Sequence, residues 1–107
     1  MNTTIEIAPF AGKTFEVRYA GLTALNAYAI DGVNMRYEIT EGPYKGAAGE
    51  VKYAWRQIAP GIFAISWQEA DRSTVVHIDD FYEGTSCSFF TTAQLELHRL
   101  EGTLRQL

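Results

Sequence analysis

The sequence predicts an all-β fold, a single domain over residues 1–107 that closes into an antiparallel up-and-down barrel of about eight strands. Three observations lead there. Apolar and polar residues alternate with a period of two through most of the chain, the period of side chains on a strand. Turn-forming pairs recur at short intervals, among them Asp31-Gly32, Pro60-Gly61 and Glu83-Gly84. Helical periodicity is weak throughout. Short sequential connections favour antiparallel neighbours, and strands in this number escape exposed edges by closing on themselves. A two-sheet sandwich is the competing arrangement.

Each element follows from its own stretch. KTFEVRYA (13–20) sets Phe15, Val17 and Tyr19 against Thr14, Glu16 and Arg18. LNAYAI (25–30) runs into Asp31-Gly32, a hairpin signal. VNMRYEIT (33–40) sets Val33, Met35, Tyr37 and Ile39 against an all-polar face that should meet water. EGPYKGAAG (41–49) reads as a glycine-rich loop. EVKYAWRQIA (50–59) places Val51, Tyr53 and Trp55 on one face, and Pro60-Gly61 turns the chain. IFAISWQE (62–69) leads through ADRS into TVVHIDDF (74–81), and Glu83-Gly84 turns again into TSCSFFTT (85–92). QLELHRLEG (94–102) reads as the last strand, with a short helix as its alternative because its alternation is less decisive.

Composition narrows the function. A chain of 107 residues that is 47% hydrophobic can build one modest core. A net charge of −4 with no Lys/Arg run argues against nucleic acid. The aromatic share of 13% suits strands, and it suits ligand pockets. With Cys87 alone no internal disulfide can form, and His77 and His98 without a Cys/His cluster give no metal spacing. No cofactor is expected. MNTTIEIAPF lacks the basic start and apolar stretch of a signal peptide, and no apolar run approaches a membrane span. The expectation is a soluble, cytoplasmic protein without a membrane partner.

If the apolar faces point inward, the interior receives Phe15, Val17, Tyr19, Met35, Tyr37, Ile39, Val51, Tyr53, Trp55, Phe63, Ile65 and Trp67. Phe63, Ile65 and Trp67 share a face with Glu69, so parity carries this carboxylate to the barrel end. A cluster of Tyr19, Tyr37 and Tyr53 around it would satisfy its own hydroxyls or receive a polar ligand. Glu69 is thus the candidate catalytic group, and Tyr19, Tyr37, Tyr53, Trp55, Phe63, Trp67 and Glu69 are the candidate ligand-binding set. The plain use of Glu69 is a solvated strand end, or a pair with Arg72 across the turn. His77 and Asp79 share a face, as a base and its orienting group do, although such a pair is more often on a surface. Asp79 and Asp80 point to opposite faces and make no dyad. Cys87 is expected to be a small buried thiol. No Ser-His-Asp order or phosphate loop is found.

PGIFAISWQEADRSTVVHIDDF (60–81) resembles the W-x-E turn region of two small barrels of the lipocalin-like (calycin) group, the MoaF-like and the phenolic acid decarboxylase-like families. GKTFEVRY resembles their first strand, MRYEITEGPYKG their tyrosine strand and glycine-rich loop, and EGTL the MoaF-like closing strand. MoaF-like fits better in length. The decarboxylase resemblance implies two first-strand tyrosines, an arginine after the glycine-rich loop and the W-x-E glutamate. Glu69 matches that glutamate and Tyr19 one tyrosine. Val17 stands at the other, Ala47 near the arginine, and Ala70-Asp71-Arg72-Ser73 replaces the family's Pro-Thr-Gly-Thr. These departures argue against phenolic acid decarboxylation. The expected function is a barrel that binds a small apolar or aromatic molecule beside Glu69. The alternative is a cofactor-independent lyase or isomerase with Glu69 as general acid/base. A third class is an interaction module, with pairing into a homodimer left open.

Overall fold

The computed structural model describes residues 7–107. Eight strands follow one another: β1 (Thr14–Tyr19), β2 (Leu22–Tyr28), β3 (Asn34–Glu41), β4 (Ala48–Ala59), β5 (Ile62–Gln68), β6 (Thr74–Asp80), β7 (Thr85–Thr91) and β8 (Leu97–Gln106). Each pairs antiparallel with the next, and β8 returns to β1 to close the barrel. The described residues form no helix, so none among them is long and apolar enough to cross a membrane.

The alternation sets the core. Phe15, Val17, Tyr19, Met35, Val51, Tyr53, Phe63, Ile65 and Trp67 are all buried, while Tyr37, Ile39 and Trp55 are half-buried against them. The β5–β6 pairing runs without a shift from Ile62↔Asp80 to Gln68↔Thr74. The parity that sends Ile65 fully inside therefore holds to the end of β5. Closure depends on glycine: a Cβ on Gly102 would fall on the Arg18 carbonyl, so β8 can lie against β1 only with hydrogen there.

Two local readings change. The final strand starts later and runs further than the alternation of 94–102 suggests, at Leu97–Gln106. Its pairing with both β7 and β1 overrides the weak local signal, and the helical alternative does not form. Cys87 is half-buried on the outer face, because Ser86 and Ser88 take the inward positions of β7.

The barrel has two unlike ends. At one, the 29–33, 60–61 and 81–84 turns meet the segment before β1, and Phe10 inserts as a plug. Its turns are built by side chains: Asp31 accepts from the Val33 and Asn34 amides at 2.8 and 2.9 Å. Asp80 accepts from those of Tyr82 and Glu83 at 3.0 and 2.9 Å. The other end carries the 20–21, 42–47, 69–73 and 92–96 connections.

Candidate functional site

The inward side chains sort into an aromatic plug and a polar band. Phe10 makes the plug, its ring centroid 4.7 Å from Tyr28, 5.4 Å from Phe81, 5.5 Å from Phe63, 5.8 Å from Tyr53 and 6.2 Å from Trp55. Three of the expected ligand-binding residues, Tyr53, Trp55 and Phe63, are therefore walls of this cluster. Phe10 and Tyr28 were not legible as its centre. Phe10 precedes any strand pattern, and Tyr28 lies in a stretch too short of polar residues to show two faces.

The polar band comes from β1, β6 and β7. On β6, Val75, His77 and Asp79 point inward although Val76 and Ile78 are more apolar. The β5 pairing decides this: Ile65 faces His77 and Phe63 faces Asp79. Across β6–β7, His77 lies opposite Ser88 and Asp79 opposite Ser86, so the neighbours of the charged pair are small and polar. Tyr19 enters from β1. His77, Asp79, Ser86 and Ser88 are each under 5% exposed.

The hydrogen atoms in this band can be counted. Ser86 donates to Asp79 Oδ1 at 2.5 Å. Its one hydroxyl hydrogen is thereby used, so the 2.7 Å contact with Tyr19 has the tyrosine as donor. The Tyr19 oxygen is then the acceptor for His77 Nε2–H, at 3.5 Å. With the ring proton on Nε2, Nδ1 carries a lone pair. His77 Nδ1 lies 3.5 Å from Asp79 Oδ2, and neither atom has a hydrogen-bond partner. In that tautomer two buried acceptors face each other; a second ring proton would make them an ion pair. Burial raises the Tyr19 hydroxyl above its ordinary range, keeping it a donor.

Towards the open end the band continues through Trp67, whose ring lies 4.9 Å from that of His77. The Trp67 indole N–H donates to Glu69 Oε2 at 3.2 Å. Ser73 Oγ lies 3.3 Å from Glu69 Oε1 but 2.5 Å from Asp71 Oδ1. A hydroxyl has one hydrogen, and the shorter contact takes it, so Ser73 does not hold Glu69 Oε1. Tyr37 is pushed up by burial first and then by the nearby Glu69 carboxylate. Arg72 does not pair with Glu69; its backbone N–H donates to the Glu69 carbonyl at 2.9 Å. Leu22, Tyr37, Ile39, Phe90 and Leu100 stand half-buried around this mouth.

The structure thus brings Tyr37, Trp67 and Glu69 together at the mouth, with Tyr19 below them in the band. It does not gather three tyrosines on Glu69. The carboxylate that Tyr19 serves, through Ser86, is Asp79. Among the described residues no group of three or more His, Cys, Asp or Glu could hold a metal ion.

No curated protein matches the sequence. A crystal structure of a Burkholderia vietnamiensis protein described as a "putative beta-lactamase" has a TM-score of 0.95 to this chain at 65% identity, covering 96% of this chain and 100% of that one. The MoaF-like family model matches residues 11–105, nearly the whole barrel, and the chain belongs to the MoaF-like family.

Proposed function

We propose that the chain is a lipocalin-like binding barrel that takes a small, largely apolar or aromatic molecule through the end bearing Trp67 and Glu69. An N–H or O–H group of the ligand meets His77 and Asp79. The observation that carries this is His77 Nδ1 and Asp79 Oδ2, which face each other at 3.5 Å, buried without a hydrogen-bond partner. A buried polar group left unmet costs about 1–3 kcal/mol, a cost that a ligand donor would convert into affinity. The half-buried apolar ring at the mouth supplies the contact for the ligand body. Both acceptors are sealed from water, so entry requires the side chains above them, Trp67 and Phe90 foremost, to change rotamer.

The test is a thermal-shift and calorimetric screen of small aromatics in matched pairs, an amine or alcohol against its methylated analogue. Donor-bearing members should raise the unfolding midpoint more, and Asp79→Asn should erase the difference. A screen in which no compound shifts the midpoint, or in which methylation has no effect, refutes the proposal.

A second reading is a cofactor-independent lyase or isomerase. It is favoured by the Glu69 carboxylate, which the Trp67 indole fixes at Oε2 beside the Tyr37 hydroxyl. A positioned acid/base contributes about 100-fold or more to rate, so Glu69→Gln should lower turnover by that factor while leaving binding intact. The description of the Burkholderia protein adds β-lactams as a substrate class. The residues here do not favour it: a serine-lysine site needs a lysine beside its nucleophile, and Lys13, Lys45 and Lys52 are all exposed.

A further inference from the structure

The plugged end carries a cleft that the polar band does not reach. It has a volume of about 340 Å³, and its floor is apolar: Phe10, Phe15, Phe63, Phe81 and Leu104. Its rim is polar, with Lys13, Gln57 and Gln106. The rings of the floor meet at angles suited to a further ring. Phe10 stacks on Phe81 at 15°, while Phe15 and Phe63 meet Phe81 edge-on at 5.0 and 5.7 Å. The volume lies at the small end of ligand sites, room for one or two fused rings.

Charge selects the ligand further. Lys13 is the one charged residue lining the cleft, and it makes no ion pair among the described residues. Of the acids of the adjoining turns, Asp31 and Asp80 are turned onto backbone N–H groups of their own turns, and neither they nor Glu83 line the cleft. A chain of net charge −4 thus presents a cation with two amides above an aromatic floor. Such a rim pairs with an anion and would repel an ammonium group.

We propose that this cleft is a second binding site, separate from the mouth near Glu69, for a planar aromatic molecule carrying one anionic group. The ring lies against Phe63 and Phe81, and the anion accepts from the Lys13 ammonium and the Gln57 and Gln106 amides. The site stands whether or not the opposite end binds a ligand.

The experiment titrates the intact chain with 2-naphthoate, with neutral 2-naphthalenemethanol and with cationic 2-naphthylmethylamine, by calorimetry and by amide chemical shifts. Naphthoate should bind one to one and most tightly. Lys13 is exposed, so Lys13→Gln should fold normally, weaken naphthoate by roughly fivefold and leave the alcohol unchanged. Shift changes should gather at 57–63, 81–84 and 104–106. Failure of naphthoate to bind, equal binding of the alcohol, indifference to Lys13→Gln, or shifts centred on Leu22, Ile39 and Phe90 would each overturn the proposal. The last outcome would instead support binding at the mouth.

Discussion

The two ends of the barrel spend the same kind of residue differently. At the Phe10 end, aromatic rings touch aromatic rings, and the turns are tied by aspartates bonded to backbone amides. From the polar band to the Glu69 end, tyrosine, tryptophan and histidine lean on carboxylates and serines, and the apolar side chains around the mouth are half-exposed. A small domain has little stability to spare. Concentrating ring contacts at one end lets the other hold polar groups that a uniform core would reject. The comparison makes stability a property of one end and chemistry chiefly a property of the other.

The largest test is Phe10→Ala. Five aromatic neighbours lose a contact, and large-to-small changes of this kind cost about 3–5 kcal/mol. Urea unfolding should show a loss near 3 kcal/mol, because the segment before β1 can relax in part. A loss below about 1 kcal/mol would mean that the plug is an appendage, and the stability assigned to this end would have to be sought elsewhere.

Asp79→Asn acts on the polar band instead. The side-chain oxygen still accepts from Ser86, while the new amide group stands where Oδ2 faced His77 Nδ1 and can donate to it. One buried charge disappears and one hydrogen bond forms. The unliganded chain should gain about 1–2 kcal/mol, while affinity for donor-bearing ligands falls. A functional site pays in stability for its chemistry, and this substitution should return it. A loss of about 3 kcal/mol or more would instead identify His77 and Asp79 as a buried ion pair sharing a proton, and the band as structural.

Most of the barrel was legible because the alternation is local: Phe15/Val17/Tyr19 and Phe63/Ile65/Trp67 declare their faces without reference to any other strand. β8 was less legible because Leu97, Leu100 and Leu104 do not keep one parity, and its place is set by β1 and β7. The site was legible only in pieces. Glu69 and Trp67 could be joined from their spacing. The inward turn of His77 and Asp79 could not be read from β6, where both faces are mixed. It follows from Ile65 and Phe63 across the ladder. Ser86 and Ser88 carried no signal at all, since a serine beside a cysteine reads equally well on either face. The grouping of three tyrosines failed because one face of each strand was known while the axial level of each residue was not, and strands in a barrel are tilted.

The smallest expected effect is in acid, where the two ends should again part. Asp31, at the plugged end, and Asp71, at the mouth, are both held below the ordinary carboxyl value of 3.8. For Asp31 the cause is donation from the Asn34 and Val33 amides, then the Asn34 side chain; for Asp71 it is the Ser73 hydroxyl, then its amide. A folded carboxyl below its unfolded value binds fewer protons than the unfolded chain, so its contribution to stability is present above 3.8 and lost as the pH falls through the lowered value. Both groups lie at the surface, and the loss should be slight. The consequences differ. Protonating Asp31 loosens one turn, which amide exchange at Val33 and Asn34 would record. Protonating Asp71 releases the Ser73 hydroxyl, which can then donate to Glu69 Oε1, 3.3 Å away. Below pH 3.8, NMR should therefore show coupled changes at Ser73, Glu69 and Trp67 Nε1–H that vanish in Ser73→Ala, and no such propagation from Asp31. If the two turns respond alike and Trp67 is unmoved, Glu69 is not poised by its neighbours, and the mouth answers acid no differently from the plugged end.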